Sequence, residues 1–424
     1  MVFSDRSLKA GSLNAKYVYQ GFDTRLNGNI LTVQNLYDFN NLNQYIVTVQ
    51  LHQDGIQIAE ERYSLNLKPH QFTDISLPFC FPKECKRGVF LNVLLLDKQN
   101  EIVGMMQHPV QAVIDPICTP DAPANIEEDK SRAYIVGEGF AYIFNKHYGH
   151  LESIERDGKE LLAKPVCLSV WRAPTDNDKR VLEQWGHVNN YAGENMDRMS
   201  QKVYSCQVVD NKIIVRGPLA GISRMPLLHF VATYSFFANG LLQVSLGANL
   251  RDELNTFLPR LGFEFPIAAD NEEFTYFGRG KLENYCDMNR HTRVGLYRST
   301  ADKEYVPYVM PQEHGTHTQV NYLETQSGVT FMSDTVFEIN VSQYTAKALT
   351  EATHTDELVK SGYTNIRIDY KSTGMGSASC GPQDFIPHYC LKDRHISFAF
   401  YVAIASHGRQ LGVSEDTPRY GYDR

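Results

Sequence analysis

The sequence predicts an all-β protein. Apolar and polar residues alternate with a period of two in short runs, most clearly over Tyr45–His52. Turn dipeptides such as Asn27-Gly28 separate these runs, and the 24 Tyr and 22 Phe residues suit strands. The region of about 290 residues from Ala133 onward lacks alternating helices. It therefore cannot be a (β/α)₈ barrel, which needs about 250 residues of βα units.

Size and charge narrow the possible functions. The 424 residues are enough for two or three domains, and 42% of them are hydrophobic. The net charge of -8 argues against nucleic-acid or anionic-membrane partners. The longest apolar run, Phe398–Ala405, is too short to span a bilayer. The N-terminus lacks a basic start followed by an apolar core, so we expect no signal peptide and a cytoplasmic location.

The cysteines indicate a reducing compartment. The eight residues are scattered and none forms a CxxC pair, and Cys80 with Cys85 has no matching second pair. We therefore expect no metal site and free, mostly buried thiols.

Residues 1–113 predict an immunoglobulin-like β-sandwich. Short strand patterns recur without helical periodicity, and Asp54-Gly55 indicates a hairpin. The predicted strands are Gly28–Val33, Tyr45–His52, Ile56–Ala59, Thr73–Leu77 and Gly88–Leu95.

A linker is predicted at residues 114–130, which contain Pro116, Pro120 and Pro123 and then a charged run. Residues 131–424 then predict a second, larger β-sandwich with two short helices, Val181–Trp185 and Ala348–Val359. The clearest strands are Tyr134–Val136, Phe140–Phe144, Ile213–Val215, Ala232–Phe237 and Leu241–Leu246.

The octet Trp171–Asp178 is the most distinctive stretch. Pro174 fixes its own φ and pushes Ala173 towards extended backbone, and the three Asx residues that follow favour turns. One interpretation is a strand that ends in a tight turn. The other is a carboxylate-rich loop at the mouth of a sugar cleft, and local chemistry leaves both open.

Two further segments are predicted to be loops. The two glycines of Phe277–Tyr285 allow close approach of the backbone, and the simplest interpretation is a turn or interface loop held by Arg279 and Glu283. Tyr308–Gly315 is a second loop of this kind. His314 and His317 have metal-like spacing but no third ligand, so we interpret them as surface residues.

A small-residue loop is predicted at Thr373–Pro382, with Cys380 near its tip, and Leu258–Phe263 is interpreted as a turn into a core strand. Together these segments resemble, in order, the C-terminal domain of family-two β-galactosidases over roughly residues 130–424. The residues that carry the resemblance are Trp171 to Asp178, Gly278-Arg279-Gly280 with Glu283-Asn284-Tyr285, Pro311-Gln312-Glu313 with Gly315, and Gly376 to Pro382.

Upstream, Val2–Arg6 is similar to the stretch that follows the catalytic barrel of these enzymes, and residues 4–113 resemble their fourth, immunoglobulin-like domain. The chain thus resembles the last two of five domains. The resemblance implies a galactose-mutarotase-like supersandwich for residues 131–424.

In the family, the acid/base and the nucleophile are two glutamates on the barrel, which this sequence does not contain. Retaining hydrolysis needs two carboxyl groups about 5–5.5 Å apart. The resemblance therefore implies a non-catalytic portion, either truncated or separately encoded as a small subunit. It would complete the cleft and the homo-oligomer of an enzyme that cleaves β-galactosides such as lactose, with the catalytic barrel and the galactoside as partners. It also implies no cofactor on this chain, since the family's magnesium and sodium bind mostly elsewhere.

The resemblance also implies site residues. The loop that contains Ser379 and Cys380 should reach the active site, where some members carry a tryptophan that a cysteine cannot replace for stacking. Asp178 and Glu183 are expected to border the cleft. The remaining motif residues are Trp171, Arg172, Asp176, Asn177, Arg279, Glu283, Asn284, Gln312 and Glu313.

Two other functions stay open. One is a free-standing carbohydrate-binding or scaffold module. The other is an aldose 1-epimerase, since the fold is shared, which needs a general acid and base facing one sugar. The candidates for that chemistry are His229, His314, Glu283 and Glu313.

Overall fold

The computed structural model describes residues 2–111, 117, 122–188, 191–376 and 385–404. Small N-terminal sheets are followed by a large β-supersandwich, so the predicted all-β class is confirmed. Within the described ranges, no helix is long and apolar enough to cross a membrane. Of the predicted linker, residues 114–116 and 118–121 lie outside the described residues, and the domain boundaries stay predictions.

The N-terminal sandwich packs a three-stranded sheet, β1-β2-β5, and a four-stranded sheet, β4-β3-β6-β7, around one apolar core. This division of strands is typical of immunoglobulin-like domains. The predicted strands are all present, but β1, β7 and the helix α1 were not predicted. The helix lacks the side-chain N-cap that would have marked its start in the sequence. The elements are α1 (Ala10–Val18), β1 (Phe22–Asn27), β2 (Ile30–Asn35), β3 (Ile46–Gln53), β4 (Ile56–Tyr63), β5 (Phe72–Ser76), β6 (Val89–Leu96) and β7 (Ile102–Gln111).

The polar face of the four-stranded sheet is covered by the larger domain. The alternation of apolar and polar residues along its strands is instead typical of a sheet with one face in solvent. Thr48, Gln50 and Asn92 are buried. Gln107 on β7 donates to Asn92 Oδ1 at 2.9 Å and to the carbonyl of Val294 at 2.9 Å, and it accepts from the amide of Val294 at 2.8 Å. The sandwich therefore docks on the larger domain through this face.

The C-terminal domain begins with a five-stranded antiparallel sheet in the order β12-β11-β10-β9-β8. Its strands are β8 (Glu127–Glu128), β9 (Arg132–Gly137), β10 (Phe140–Asn145), β11 (His150–Arg156) and β12 (Lys159–Glu160).

A thirteen-stranded sheet forms the rest of this domain, apart from the short β14–β15 hairpin. Its main path is β13-β21-β26-β25-β27-β20-β19-β18-β16, and one apolar core extends from Ala124 to Val402. The elements are β13 (Cys167–Ser169), α2 (Leu182–Trp185), β14 (His187–Val188), β15 (Tyr191–Ala192), β16 (Met199–Gln201), β17 (Ser205–Val209), β18 (Lys212–Gly221), β19 (Pro226–Phe236), β20 (Leu242–Leu250), β21 (Arg260–Ile267), β22 (Glu273–Gly280), β23 (Arg293–Thr300), β24 (Thr316–Thr325), β25 (Val329–Ser342), α3 (Ala346–Glu351), β26 (Thr364–Ser372) and β27 (His395–Ile404).

Most local predictions for this domain are confirmed, with two corrections. The hairpin through Asn239-Gly240 joins β19 to β20, and Gly240 has the positive φ of 83° that such a turn needs. The second predicted helix is shorter than expected, because α3 ends at Glu351. Gly278 and Gly280 lie on strand β22 rather than in a loop, where a Cβ would collide with neighbouring side chains.

Candidate functional site

The octet is organised by a buried ion pair. Arg172 Nε and Nη2 donate to the two carboxylate oxygens of Asp178 at 3.1 and 2.8 Å, and both side chains are fully buried. The amide of Thr175 donates to Asp178 Oδ2 at 2.9 Å, which closes the turn. This bidentate geometry fixes the guanidinium plane. The turn interpretation therefore describes the octet, and Asp178 points into the protein.

The same octet holds the residues that lead into the small-residue loop. Arg172 also donates to the carbonyl of Thr373 and, at 3.0 Å, to that of Gly374. Asn177 Nδ2 donates to the carbonyl of Met375 at 2.6 Å. Three successive carbonyls are thus bound by side chains 198 to 202 residues away in sequence. We call residues 373–376 the loop stem.

Asp287 binds the loop stem from its amide side. Its carboxylate oxygens accept from the amides of Met375 at 2.9 Å and Gly376 at 3.1 Å. A Cβ at Gly374 would lie 2.5 Å from Asp287 Cγ, and one at Gly376, where φ is 95°, would lie 2.6 Å from Asn177 Cβ. Only glycine allows this approach at both positions. Asp287 was not singled out from the sequence, since it lies two residues beyond the recognised motif.

The segment around Gln312 and Glu313 braces the octet from the other side. The amide of Asp176 donates to Gln312 Oε1 at 3.1 Å, and the amide of Glu313 donates to the carbonyl of Ala173 at 3.1 Å. The Glu313 carboxylate pairs with Arg367, whose Nη1 lies 3.1 Å from Glu313 Oε2. Burial acts to raise the pKa of Glu313, but the Arg367 guanidinium outweighs it and holds the pKa below its usual value.

A third buried ion pair continues this network. Arg260 Nη1 donates to Asp369 Oδ1 at 2.7 Å, and Arg260 Nε donates to the carbonyl of Trp171 at 2.6 Å. Arg367 and Asp369 were not singled out from the sequence, although charged and apolar residues alternate along β26. They alternate with the fully buried Ile366 and Ile368, so both faces of the strand are covered.

Glu283 and Asn284 have internal partners. Glu283 accepts from the hydroxyl of Tyr308 and, at 3.0 Å, from the amide of Gly315, and burial raises the pKa of its carboxyl group. Asn284 Oδ1 accepts from the amide of Thr318 at 3.0 Å. These contacts tie the segment after β22 to the second predicted loop.

Arg279 and Trp171 anchor neighbouring elements. Arg279 Nε donates to Gln319 Oε1 at 3.0 Å, and burial lowers the pKa of the guanidinium. The Trp171 indole donates to Thr350 Oγ1 at 3.1 Å, which joins the segment after β13 to α3. Their polar atoms are therefore used within the protein.

The prediction that His314 and His317 are surface residues is wrong. Their side chains are buried, because the segment that carries them packs between β22 and β25. His317 Nε2 lies 2.8 Å from Glu304 Oε2, and Nδ1 lies 3.0 Å from the Tyr276 hydroxyl. Buried imidazoles need such partners. In the described part of the chain, no group of three or more His, Cys, Asp or Glu residues could hold a metal ion.

Three of the four candidates for epimerase chemistry, Glu283, Glu313 and His314, are buried. Glu313, His314 and Arg367 line a cavity of about 10 Å³, which is room for one water molecule. Glu313 is occupied by Arg367, and His229 lies exposed on β19.

The remaining predicted site residues lie in different surroundings. Asp178 was expected to border a cleft, but its side chain is fully buried and its carboxylate is saturated by Arg172 and backbone, so it cannot contact a ligand in this structure. Asp176 and Glu183 are exposed. Ser379 and Cys380 lie outside the described residues.

The expected burial of the thiols is also corrected. Each of the six described cysteines lies at an exposed or partly exposed position: Cys80, Cys85, Cys167, Cys206, Cys286 and Cys390.

Residues 3–9 pack beside Tyr308 and reach the octet Trp171–Asp178. The ring of Phe3 lies 5.9 Å from that of Tyr308, and Lys9 Nζ lies 5.1 and 5.3 Å from the two ring centroids. Lys179, and more weakly Lys9, lowers the pKa of the exposed Asp176. The segment before α1 thus reaches the surface edge of the octet.

Comparison with known proteins gives two family matches and a set of relatives. The family model of the β-galactosidase small chain matches residues 136–402, and that of β-galactosidase domain 4 matches residues 31–110. The chain is 29% identical over 399 residues to a β-galactosidase of Actinobacillus pleuropneumoniae, covering 90% of this chain and 39% of the relative. It is 31% identical over 281 residues to that of Staphylococcus xylosus, covering 65% and 28%. The chain thus spans about two fifths or less of these relatives.

Solved structures with a similar chain path include a putative aldose 1-epimerase of Escherichia coli K12. It has 12% identity and a TM-score of 0.34, and the match covers 66% of this chain and 99% of that one. An aldose epimerase homologue from C. elegans gives 10% identity, a TM-score of 0.36 and the same coverage.

Proposed function

We propose, from the premise that this chain belongs to the β-galactosidase small-chain family, that it forms one wall of a β-galactosidase substrate cleft without supplying the catalytic carboxylates. The observation that carries the proposal is the clamp on the loop stem. Arg172, Asn177 and Asp287 bind every residue from Thr373 to Gly376. In the family, the loop that follows reaches the active site.

The buried carboxylates of Asp178, Glu283 and Glu313 support a non-catalytic role for this chain. Asp178 is bound by Arg172, Glu313 by Arg367, and Glu283 by Tyr308 and Gly315. Retaining hydrolysis needs two carboxyl groups that face the substrate about 5–5.5 Å apart. Carboxylates that are buried and saturated by protein donors do not meet that need. We therefore propose that the acid and the nucleophile belong to a catalytic part, which is the principal partner.

That partner would approach beside the octet. Residues 2–6 are similar to the stretch that follows the catalytic barrel. Phe3 in this stretch packs on Tyr308, and Lys9 lies over the same ring and acts on the pKa of Asp176. The clamp would then set the position of Ser379 and Cys380 against a galactoside such as lactose. We further propose a cytoplasmic homo-oligomer in which this chain binds no cofactor of its own.

The test is an assay on o-nitrophenyl β-galactoside with two proteins. One is this chain alone, and the other is a chimera in which it replaces the corresponding last two domains of the Actinobacillus relative. We expect turnover only by the chimera. Hydrolysis by the isolated chain at a rate comparable to the chimera would refute the proposal.

A second comparison tests the clamp. In the chimera, Asn177→Ala removes the donor to Met375, and we expect kcat/KM to fall at least tenfold with the folded structure retained. Lys179→Ala is the matched control, because its side chain is exposed two residues away. Equal activity of the two variants would show that the loop stem does not matter for catalysis.

A further inference from the structure

We propose that an open groove in the N-terminal part of the larger domain binds an anionic saccharide, independently of the proposed cleft. The groove has a volume of about 570 Å³ and lies between the β10–β11 turn and the β16–β17 connection. Ligand sites are typically roughly 300–1,000 Å³. Its principal lining residues are Lys130, Lys146, Tyr148, Gln201, Lys202 and Tyr204.

Two tyrosine rings provide apolar platforms in the groove. Tyr148 is 58% exposed and Tyr204 is 62% exposed, which is high for such large side chains. Tyr148 is supported by His147 at 4.7 Å and His150 at 5.7 Å between ring centroids, and Tyr204 lies 6.5 Å from His229. Braced aromatic rings offer contact area to a sugar's C–H face at low entropic cost.

The backbone that carries Tyr148 is held rigidly. Gln201 Nε2 donates to the carbonyls of Tyr148 and Gly149, the latter at 3.0 Å, and Asn145 Oδ1 accepts from the amide of Tyr148 at 3.0 Å. Gly149 has a φ of 69°, and a Cβ there would lie 2.8 Å from Val203 Cγ2. The two sides of the groove are therefore in close contact, and a preorganised site loses less entropy on binding.

The charge of the groove selects the class of saccharide. Of the described residues that line it, three are lysines and none is acidic, in a protein whose net charge is -8. Lys146 is paired with Glu128 at 2.5 Å, whereas Lys202 lies 5.8 Å from the Tyr204 ring centroid. Within the described residues, no carboxylate lies within 4 Å of the Lys130 or Lys202 ammonium groups. These two ammonium groups suit the carboxylate of a uronic acid or a sugar sulfate, while a ring stacks on tyrosine.

The experiment is calorimetric titration of the full chain with oligogalacturonates and sulfated galacto-oligosaccharides. Neutral galacto-oligosaccharides, sodium sulfate and single-stranded DNA are titrated in parallel. We expect the acidic oligosaccharides to bind at least tenfold more tightly than the neutral ones and than sulfate, and we expect this binding to weaken as salt rises.

Variants assign the binding to the groove. We expect Tyr148→Ala and Tyr204→Ala each to weaken binding about tenfold. Lys202→Met should reduce the preference for acidic over neutral sugars several-fold. Tyr19→Ala is the matched control, since Tyr19 is 87% exposed in another part of the protein and should leave binding unchanged.

Several outcomes would overturn the proposal. They are the absence of saccharide binding at millimolar concentration, equal binding of sulfate or DNA, and equal binding by the tyrosine variants and the parent chain. Equal affinity for neutral and acidic sugars would contradict the role of the lysines. All of these substitutions lie at exposed or partly exposed positions, so thermal unfolding curves that match the parent serve as the folding check.

Discussion

The N-terminal sandwich and the C-terminal domain fill their interiors in different ways. Among the described residues of the sandwich, the buried polar side chains are uncharged, namely Thr24, Asn35, Thr48, Gln50 and Asn92. Among its own described residues, the larger domain buries ten Asp, Glu and Arg side chains besides its apolar core. They are Arg172, Asp178, Arg260, Glu272, Glu283, Glu304, Glu313, Glu338, Arg367 and Asp369.

This difference indicates that the two interiors have different roles. Apolar burial stabilises the sandwich, whereas the buried ion pairs of the larger domain position particular segments. Apolar burial stabilises a fold without directional requirements. Buried ions cost desolvation free energy that pairing only offsets, and well-packed apolar residues in their place are often as stable or more stable. The cluster around Arg172 is therefore poorly explained as a source of stability. Its directional hydrogen bonds define the path of the loop stem, which an apolar core could not do.

The largest expected effect breaks the central ion pair. Arg172→Met leaves Asp178 buried without its partner, and we expect the larger domain to lose about 3–5 kcal/mol of unfolding free energy in urea titrations. The matched control is Arg298→Met, whose pair with Glu273 is exposed and should change the value by less than about 1 kcal/mol. Arg172→Met combined with Asp178→Leu should recover much of the loss. Failure to recover any would mean that the pair stabilises the domain beyond its own desolvation cost.

The next effect probes the apolar core of the sandwich. Leu91 is fully buried on β6, so Leu91→Ala should cost about 2–5 kcal/mol through lost transfer free energy and the cavity. Ile56→Ala is the control, because Ile56 is 47% exposed and should change stability by about 0.5 kcal/mol or less. Hydrogen exchange of β3 and β6 amides measures the loss locally. Comparable loss of protection throughout the larger domain would contradict the view that the two cores are stabilised separately.

A pH effect follows from Glu338. Burial raises the pKa of its carboxyl group to about 7, although it accepts hydrogen bonds from the amide and hydroxyl of Ser372. The folded state then binds more protons than the unfolded state between about pH 4.5 and 7, so this group's contribution to stability falls as pH rises through that window. The shift corresponds to roughly 3 kcal/mol.

Urea titrations at several pH values measure this contribution. Glu338→Gln should flatten the decline between pH 5 and 7, whereas the control Glu351→Gln, at an exposed position on α3, should leave it unchanged. An identical pH profile in Glu338→Gln would show that this carboxyl group does not titrate there.

The smallest effect concerns the clamp itself. Asn177→Ala removes one partly buried hydrogen bond to Met375 and should lower the stability of the larger domain by only about 1 kcal/mol. Unfolding free energy measured beside kcat/KM in the chimera separates the two roles. A stability loss as large as that of Arg172→Met would place Asn177 among the residues that hold the domain together rather than those that position the loop.

The fold was largely predictable because its signals are local. The alternation in Tyr45–His52 and the turns at Asp54-Gly55 and Asn239-Gly240 correspond to observed hairpins. The site was predictable only as a set of segments. Arg279, Glu283 and Asn284 were named without their partners, and the burial of His314 and His317 was missed, because burial depends on which strands pack over a segment.

Short-range alternation and turn chemistry in the chain were sufficient for its strand content, and motif segments such as Trp171–Asp178 were sufficient for its family resemblance. They concern neighbours in sequence, whose geometry the backbone restricts directly. Folding alone determined that Arg172 would meet Thr373 and that Asp287 would meet Gly376. It also determined that the polar face around Gln50 would be covered. Contacts between residues so far apart in sequence depend on the packing of whole sheets, and no local pattern encodes them.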